Sequence, residues 1–242
     1  MLESGSLRPE LRPTARSGHA PELARQAIAE GCDLIFAMGG DGTIHEVING
    51  MARSAVPLGI LPAGTANCLG IELGLGTNPV DAARRLLKSR PLPIGLGVAK
   101  FNGEEIFFAS MLGVGLDARI VAGVDSGIKR RLGKGAYVLA GVKQVLFTVP
   151  PNTIEIAGST LTCGFILASR IKNYGGDFEI ARTASIRNDS IEVVTFRGSN
   201  PLRYVAYFAG AAVRIAQHLP GVETHRLTSF RIVSESPLQA DG

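Results

Sequence analysis

The sequence has little of what marks a secreted, membrane-spanning or metal-centred protein. It contains three cysteines, an odd number, and no CxxC pair, so reduced thiols and a cytoplasmic location are expected. No apolar run reaches the length of a membrane span, and the N-terminus has no apolar segment typical of a signal peptide. The four histidines lack a metal-ligand spacing such as HExxH.

Several common functional motifs are also missing. The net charge of +4 is too small to indicate a nucleic-acid partner, although it suits an anionic substrate or an anionic membrane surface. Gly133-Lys134 is not followed by Ser or Thr, so there is no P-loop. Gly113–Ala118 fits the dinucleotide pattern GxGxxA, but it follows a predicted hairpin strand rather than opening a βαβ unit. Dinucleotide binding is therefore not expected.

The most informative stretch is Asp33–Met51, which reads DLIFAMGGDGTIHEVINGM. Leu34–Met38 has the length of a buried strand, and the chain then breaks at Gly39–Gly42. Helical spacing resumes at Thr43, and Thr43 and Glu46 stand three apart as in a capping box, which predicts a helix start at Thr43. Glycines permit positive φ and close approach, and a helix N-terminus offers free N–H groups to an anion. A phosphate group is the expected ligand.

Asp41 lies where a negative charge should repel a phosphate. The repulsion is relieved if Mg²⁺ or a transferable proton lies between the two groups, so Asp41 indicates metal binding or general-base chemistry. The alternative is that Asp41 is only a turn residue, because Asp-Gly is a common turn pair.

The first ninety or so residues alternate between helix and strand signals. A helix is predicted from near Pro21, a second strand at Pro57–Leu61, a second turn at Pro62–Asn67 and a further helix after Asn78. This alternation predicts a parallel sheet covered by helices. Because ligands gather at the carboxyl ends of parallel strands, both turns are expected to face one site.

The character of the chain changes after about Arg90. Asn102-Gly103 between two apolar runs predicts a hairpin, and the second half has the signals of a mostly antiparallel β-sheet domain. The predicted boundary lies near Pro91–Ile94 and gives an α/β domain at 1–93 and a β-sandwich domain at 94–242. The other predicted elements are strands at Thr153–Ala157, Leu161–Ser169, Ile191–Phe196 and Phe230–Val233, and helices at Ala136–Phe147 and Leu202–His218.

Two motifs, GGDGTIHEVINGM and PLGILPAGTANCLGIELGL, together resemble the catalytic domain of the diacylglycerol kinase family, which includes sphingosine, ceramide and bacterial lipid kinases. NAD kinases and phosphofructokinases share the GGDG-type turn but lack the second motif. The resemblance continues through LGVGLDARIV, KRRLGKGAYVLAGV and NYGGDFEIARTASIRNDSIEVV. It implies an α/β nucleotide-binding domain joined to a β-sandwich domain, with the active site in the cleft between them. It also implies transfer of the γ-phosphoryl group of ATP to a lipid hydroxyl.

The resemblance assigns roles to individual positions. Asp41 and Asp241 are the catalytic candidates, one orienting Mg²⁺ and the other taking the proton of the lipid hydroxyl. A structural Mg²⁺ site would use the carboxylate of Asp189 and the backbone oxygens of Ile186 and Ile191. The implied ATP contacts are Thr14, Gly40, Asp41, Gly42, Thr43, Ile44, His45, Glu46, Thr65 and Asn67, with a surface helix position as the alternative for His45.

The sequence departs from the family pattern at both ends. Nothing matches the family's initial strand and Asn-Pro-x-Ser/Gly loop, and the glutamate that follows Asp-Gly in the family is absent after Asp241-Gly242. The expectation is a chain truncated at both ends. Two other functions stay open: a kinase of a small non-lipid alcohol, and a nucleotide- or lipid-binding module without turnover.

The implied lipid substrate places the protein at a membrane surface, as a peripheral cytoplasmic protein. Lys129, Arg130, Arg131 and Lys134 form the densest basic cluster, which is either a solvated face or a contact for anionic lipid headgroups. The sequence leaves the identity of the lipid open, and also the oligomeric state, for which a homodimer is one alternative.

Overall fold

The computed structural model describes residues 8–101, 103–115, 151–156, 158–175, 178–198 and 200–241. The chain divides into two compact units, Met1–Pro93 and Ile94–Gly242. The predicted helix Ala136–Phe147 and the basic cluster lie outside the described residues, as do 116–118 of the GxGxxA pattern.

The first unit alternates helix and strand, as predicted. Its elements are α1 (Ala20–Ala29), β1 (Ile35–Gly39), α2 (Asp41–Met51), β2 (Leu58–Pro62), α3 (Cys68–Glu72) and α4 (Pro79–Leu86). The strands β1 and β2 pair in parallel, with Ile35 opposite Leu58 and Gly39 opposite Pro62. The carboxyl ends of the two strands therefore meet at the same edge.

Helices α1 and α2 pack closely because small residues line their contact. A Cβ atom at Gly50 would lie 2.6 Å from the Cα atom of Pro21, so this position of α2 has room only for glycine. On the same helix Ile44 and Ile48 are buried, in agreement with the apolar face predicted from their spacing. The contact between the two helices thus fixes the orientation of the residues that open α2.

The predicted capping box of α2 is wrong. The helix begins at Asp41 rather than Thr43, and its N-cap residue is Gly40, which has no side chain to offer. The Thr43 side chain instead packs against Gly39, where an added Cβ atom would lie 2.7 Å from the Thr43 Cβ. The Glu46 carboxylate instead accepts hydrogen bonds from backbone N–H groups at the start of α1. Glu46 therefore bonds to residues of another segment rather than to the start of its own helix.

The second unit is built from antiparallel strands. They are β3 (Gly97–Phe101), β4 (Glu104–Phe108), β5 (Met111–Gly115), β6 (Asn152–Ile156), β7 (Ser159–Cys163), β8 (Phe165–Ser169), β9 (Asn173–Tyr174), β10 (Phe178–Glu179), β11 (Ile191–Phe196), β12 (Val222–Leu227), β13 (Arg231–Val233) and β14 (Leu238–Ala240). Five of them form a sheet in the order β12-β11-β8-β5-β14, and three form a sheet in the order β13-β6-β7. The strands β3 and β4 form the predicted hairpin.

One predicted strand and one predicted helix are divided in the structure. The predicted strand Leu161–Ser169 breaks at Gly164, so that β7 belongs to the three-stranded sheet and β8 to the five-stranded sheet. The predicted helix Leu202–His218 ends earlier, as α5 (Pro201–Ala212), and a 3-10 turn at Ala216–His218 follows. Arg214 between them has φ +62, a left-handed conformation that ends an α-helix.

The two sheets of the second unit share one apolar core. Phe108, Val114 and Ile166 come from β4, β5 and β8, and they join Ile154 and Cys163 from β6 and β7. Burial in this core raises the pKa of the Cys163 thiol to about 12. This packing, together with the parallel sheet of the first unit, confirms the predicted fold class of an α/β unit followed by an antiparallel β-sandwich.

Candidate functional site

Two turns at the carboxyl ends of β1 and β2 lie against each other. We call Gly39–Gly42 and Pro62–Asn67 together the paired turns. The Ala63 N–H donates to the Gly39 carbonyl over 2.9 Å. The turns therefore occur side by side, as expected from a parallel pair of strands.

Glycine is needed in the paired turns for close approach and not for positive φ. A Cβ atom at Gly64 would lie 2.4 Å from the Cα atom of Gly40, nearer than two carbon atoms can come. Gly40 itself has φ −84 and ψ 179, an extended conformation open to any residue, so the expected positive φ is not used there. The two backbones meet without an intervening side chain.

Asp41 connects the first turn to the helix after the second. Its Oδ1 accepts a hydrogen bond from the Cys68 N–H over 2.7 Å, and Cys68 is the first residue of α3. A carboxylate at a helix start is favoured because the N–H groups there lack intrahelical partners. Asp41 thus has a structural partner, and its carboxylate lies half-buried within the paired turns.

Asn67 closes the second turn. Its Oδ1 accepts from the Gly64 N–H over 2.8 Å and its Nδ2 donates to the Gly64 carbonyl over 2.9 Å. The residue is 1% exposed and has φ 51, a left-handed conformation that asparagine tolerates. Asn67 therefore shapes the turn that carries Gly64, whereas Thr65 beside it is half-buried.

The N-terminus of α2 opens at the first of the paired turns. Its first intrahelical hydrogen bond joins the Ile44 N–H to the Gly40 carbonyl over 3.1 Å. The N–H groups of Gly42 and Thr43 precede that bond, which is the position from which a helix binds an anion. The Ile44 side chain is 2% exposed and belongs to the core, so this position could contribute to a ligand site only through its backbone.

The other predicted contact residues of the first unit include Glu46, His45 and Thr14. The carboxylate of Glu46 accepts from the Gly18 N–H over 2.8 Å and from the Ala20 N–H over 3.3 Å, so it serves the start of α1. His45 is one helical turn from Asn49, whose side-chain amide donates to the His45 carbonyl over 3.0 Å. Thr14 is exposed in the segment ahead of α1.

Asp241 is a buried carboxylate of the second unit. Its Oδ1 accepts from the N–H groups of Ser110 and Met111 over 2.8 and 2.9 Å, and its Oδ2 accepts from Ala109 over 2.9 Å. The side chain thus holds the turn between β4 and β5, and the Asp241 N–H extends the pairing of β14 with β5 by donating to Met111. Neither the packing nor these bonds could be foreseen from the Asp-Gly pair alone.

A buried arginine contacts the loop that carries the predicted metal residues. Arg170 Nη2 donates to the carbonyls of Ile186 and Asn188 over 3.1 and 2.7 Å. Asp189 is exposed, and Ile191 opens β11. Burial lowers the pKa of Arg170, and the nearby negative charge of Asp189 acts in the opposite direction. In the described part of the chain, no three His, Cys, Asp or Glu side chains cluster as a metal site would require.

Sequence reasoning missed Arg170 and the glycine that accommodates it. A Cβ atom at Gly95 would lie 2.6 Å from Arg170 Nη2, so the guanidinium fills the space that a side chain at Gly95 would need. A lone arginine after an apolar strand gives no signal of burial, because arginine is usually exposed.

Comparison with known proteins shows which family the first part of the chain is similar to. Residues 1–99 match the model of the diacylglycerol kinase catalytic domain. This match confirms the family resemblance inferred from the two turn motifs.

Particular relatives extend the match beyond the first unit. The diacylglycerol kinase of Bacillus subtilis (strain 168) is 30% identical over 199 residues, which are 79% of this chain and 64% of the relative. The Stenotrophomonas maltophilia protein named "Probable lipid kinase YegS-like" is 32% identical over 155 residues, 62% of this chain and 50% of that protein. The chain thus spans between half and two-thirds of the length of these relatives.

A crystal structure of a diacylglycerol kinase from Bacillus anthracis str. Sterne has the same fold. It superposes with a TM-score of 0.71 at 24% identity and covers 95% of this chain and 76% of that one. Among the residues described here, no helix has the length and apolar character needed to cross a bilayer.

Proposed function

We propose that the protein is a lipid kinase that transfers the γ-phosphoryl group of ATP to a lipid hydroxyl, such as that of diacylglycerol. The observation that carries the proposal is the paired turns, where two glycine turns at the carboxyl ends of parallel strands meet beside a helix N-terminus. The match of residues 1–99 to the diacylglycerol kinase catalytic domain supports the same reading.

The paired turns would bind the ATP phosphates mainly through backbone groups. The N–H groups of Gly42 and Thr43 lie in the first turn of α2, ahead of its first intrahelical hydrogen bond, and Gly40 meets Gly64 where the two turns touch. Thr65, in the second turn, would be a further contact. Phosphoryl transfer depends on positioning and on neutralising charge at the phosphoryl oxygens. Rigid backbone donors supply both, because they need no reorganisation when the charge moves.

Asp41 is the side chain that we assign to the chemistry of the first unit. Its carboxylate is an oxygen donor of the type that Mg²⁺ prefers, and it is half-buried rather than enclosed. Mg²⁺ bound with ATP would neutralise part of the negative charge on the transferring group. Asp41 would either hold that ion or accept the proton of the lipid hydroxyl.

A specific observation favours the alternative of a nucleotide-binding module without turnover. Four of the polar candidates, Asp41, Glu46, Asn67 and Asp241, have structural hydrogen-bond partners within the protein. Residues kept only for these bonds would preserve the fold and the nucleotide site without catalysis. A kinase of a small soluble alcohol is a second alternative on the same site.

The structure offers a matched pair of variants to test the proposal. Asp41→Asn retains an oxygen that can accept from the Cys68 N–H but removes the charge, whereas Asp41→Ala removes both. The assay is phosphate transfer from ATP to diacylglycerol, sphingosine or ceramide in mixed micelles with Mg²⁺, with soluble alcohols in parallel. We expect Asp41→Asn to lose about 10²–10⁴-fold in rate while the melting temperature is preserved. Asp81→Asn, an exposed change on α4, serves as the charge control.

Binding of a non-hydrolysable ATP analogue separates the alternatives. Binding without transfer to any acceptor would favour the module without turnover, and transfer to soluble alcohols alone would favour the small-alcohol kinase. If Asp41→Asn transferred phosphate to lipid at the wild-type rate, Asp41 would have no part in the mechanism.

A further inference from the structure

A buried arginine stands among the residues that were predicted to hold a structural Mg²⁺ ion. Arg170 is 2% exposed and follows β8 directly. Its Nη2 donates to the carbonyls of Ile186 and Asn188 over 3.1 and 2.7 Å. The guanidinium thereby fixes the loop that leads into β11 at two backbone oxygens.

Space has been left for this guanidinium by a neighbouring glycine. A Cβ atom at Gly95 would lie 2.6 Å from Arg170 Nη2, and the Gly95 N–H donates to the Ile186 carbonyl over 3.3 Å. The Ile186 oxygen thus receives two donors from the protein. Arginine, glycine and loop form one packed unit within the second compact unit of the chain.

These residues do not fit a Mg²⁺ ion. Mg²⁺ demands oxygen lone pairs directed at it from about 2.0–2.1 Å in near-octahedral geometry. The Ile186 carbonyl, which was expected to be one ligand, is already committed to Arg170 and Gly95. A guanidinium, which stays charged in proteins, would also repel a divalent cation at hydrogen-bond distance from the same oxygen. The loop already holds a positive charge at the place where the metal was predicted.

We infer that Arg170 is the resident cation of this loop, so that the second unit is stabilised without a divalent metal ion. The inference stands independently of the proposed function, since it concerns the stability of the fold rather than phosphoryl transfer. If the protein is a kinase, its need for Mg²⁺ is confined to the nucleotide.

The first test is a thermal unfolding experiment on the whole chain without nucleotide. Melting temperatures are compared in EDTA and in increasing millimolar MgCl₂, and the expected result is no saturable shift. An ion bound at a hundred times its dissociation constant would raise the melting temperature of a chain this long by about 5–10 °C. A rise of that size that Asp189→Asn abolishes would overturn the inference.

The second test compares two arginines of the same region. Arg170→Ala removes the guanidinium donor from the carbonyls of Ile186 and Asn188, of which Ile186 keeps only the Gly95 N–H, and it empties a buried volume. We expect its melting temperature to fall by about 5–20 °C. Arg187→Ala, an exposed change in the same loop, should alter it little. Arg170→Lys keeps the positive charge but lacks the planar guanidinium, so its melting temperature should lie between those of the two alanine variants. Equal melting temperatures for Arg170→Ala and Arg187→Ala would refute the role of Arg170.

Discussion

The substitution Gly64→Ala tests the paired turns most directly. Its Cβ atom would lie 2.4 Å from the Cα atom of Gly40 and 3.0 Å from the Oδ1 atom of Asn67. Carbon atoms in contact are normally about 3.5–4.0 Å apart, so one of the turns must move by about 1 Å. The opposing atom is backbone, and no change of side-chain rotamer can relieve the overlap.

The expected cost follows from this displacement. Inserting a methyl group into packed structure costs about 1–3 kcal/mol of unfolding free energy. For a chain of this length that corresponds to a fall in melting temperature of about 2–12 °C. The displacement of about 1 Å also moves the backbone N–H groups of the first turn away from the second turn. If the turns hold ATP, transfer should fall about 10²-fold, as a misplacement of 1 Å can produce.

A graded control is provided by the facing glycine. A Cβ atom at Gly40 would lie 3.3 Å from the Cα atom of Gly64, so the neighbour need give only a few tenths of an ångström. Gly40→Ala should therefore be milder than Gly64→Ala in melting temperature and in the affinity for an ATP analogue, measured by differential scanning fluorimetry and calorimetry. If the two variants had the same melting temperature and bound the analogue as tightly as wild type, the close contact of the turns would not be needed for nucleotide binding.

Two further predictions concern buried groups of the second unit. Asp241→Asn places an NH₂ group against one of the three backbone N–H donors. We expect the unfolding free energy, measured by urea titration, to fall by about 2–4 kcal/mol. A variant with wild-type stability and no transfer activity would instead indicate that Asp241 is catalytic. The Cys163 thiol ionises near 9.0 when unfolded but has its pKa raised to about 12 by burial. Stability should thus fall as the pH rises from 9.0 to about 12, and Cys163→Ser should flatten that slope; an unchanged slope would mean that other groups cause it.

Local signals in the sequence located most elements of the first unit. The run Leu34–Met38 lies within one residue of β1, and Asn78 caps α4 by accepting from the N–H groups of Val80 and Asp81, as the Asn-Pro start indicated. These signals succeed because their causes, apolar periodicity and turn chemistry, act over a few residues. The break at Gly164 was not predicted because the residues on both sides of it include apolar ones typical of a strand. The two halves differ in the sheet to which each belongs, which the local sequence does not indicate.

The candidate site was predictable in its position but not in its internal contacts. Two turns at the ends of parallel strands had to be neighbours, whereas the capping box failed because Glu46 reaches α1 instead. The bond from Cys68 to Asp41 and the Arg170 contacts also join residues far apart in sequence. Such partners depend on the packed arrangement of several elements, which no local pattern encodes.

The bonds of Asp241 also have a consequence for the order of folding. Asp241 is bonded to Met111 across 130 positions, whereas the bond between Cys68 and Asp41 spans only 27. Contacts close in sequence form sooner, because less chain entropy is lost in closing the loop. During synthesis the first unit can complete its sheet and helices early, and β5 must wait for β14 to emerge. Until then the β14-facing edge of β5 lacks its partner strand, so slow synthesis of the segment that leads to β14 should increase aggregation.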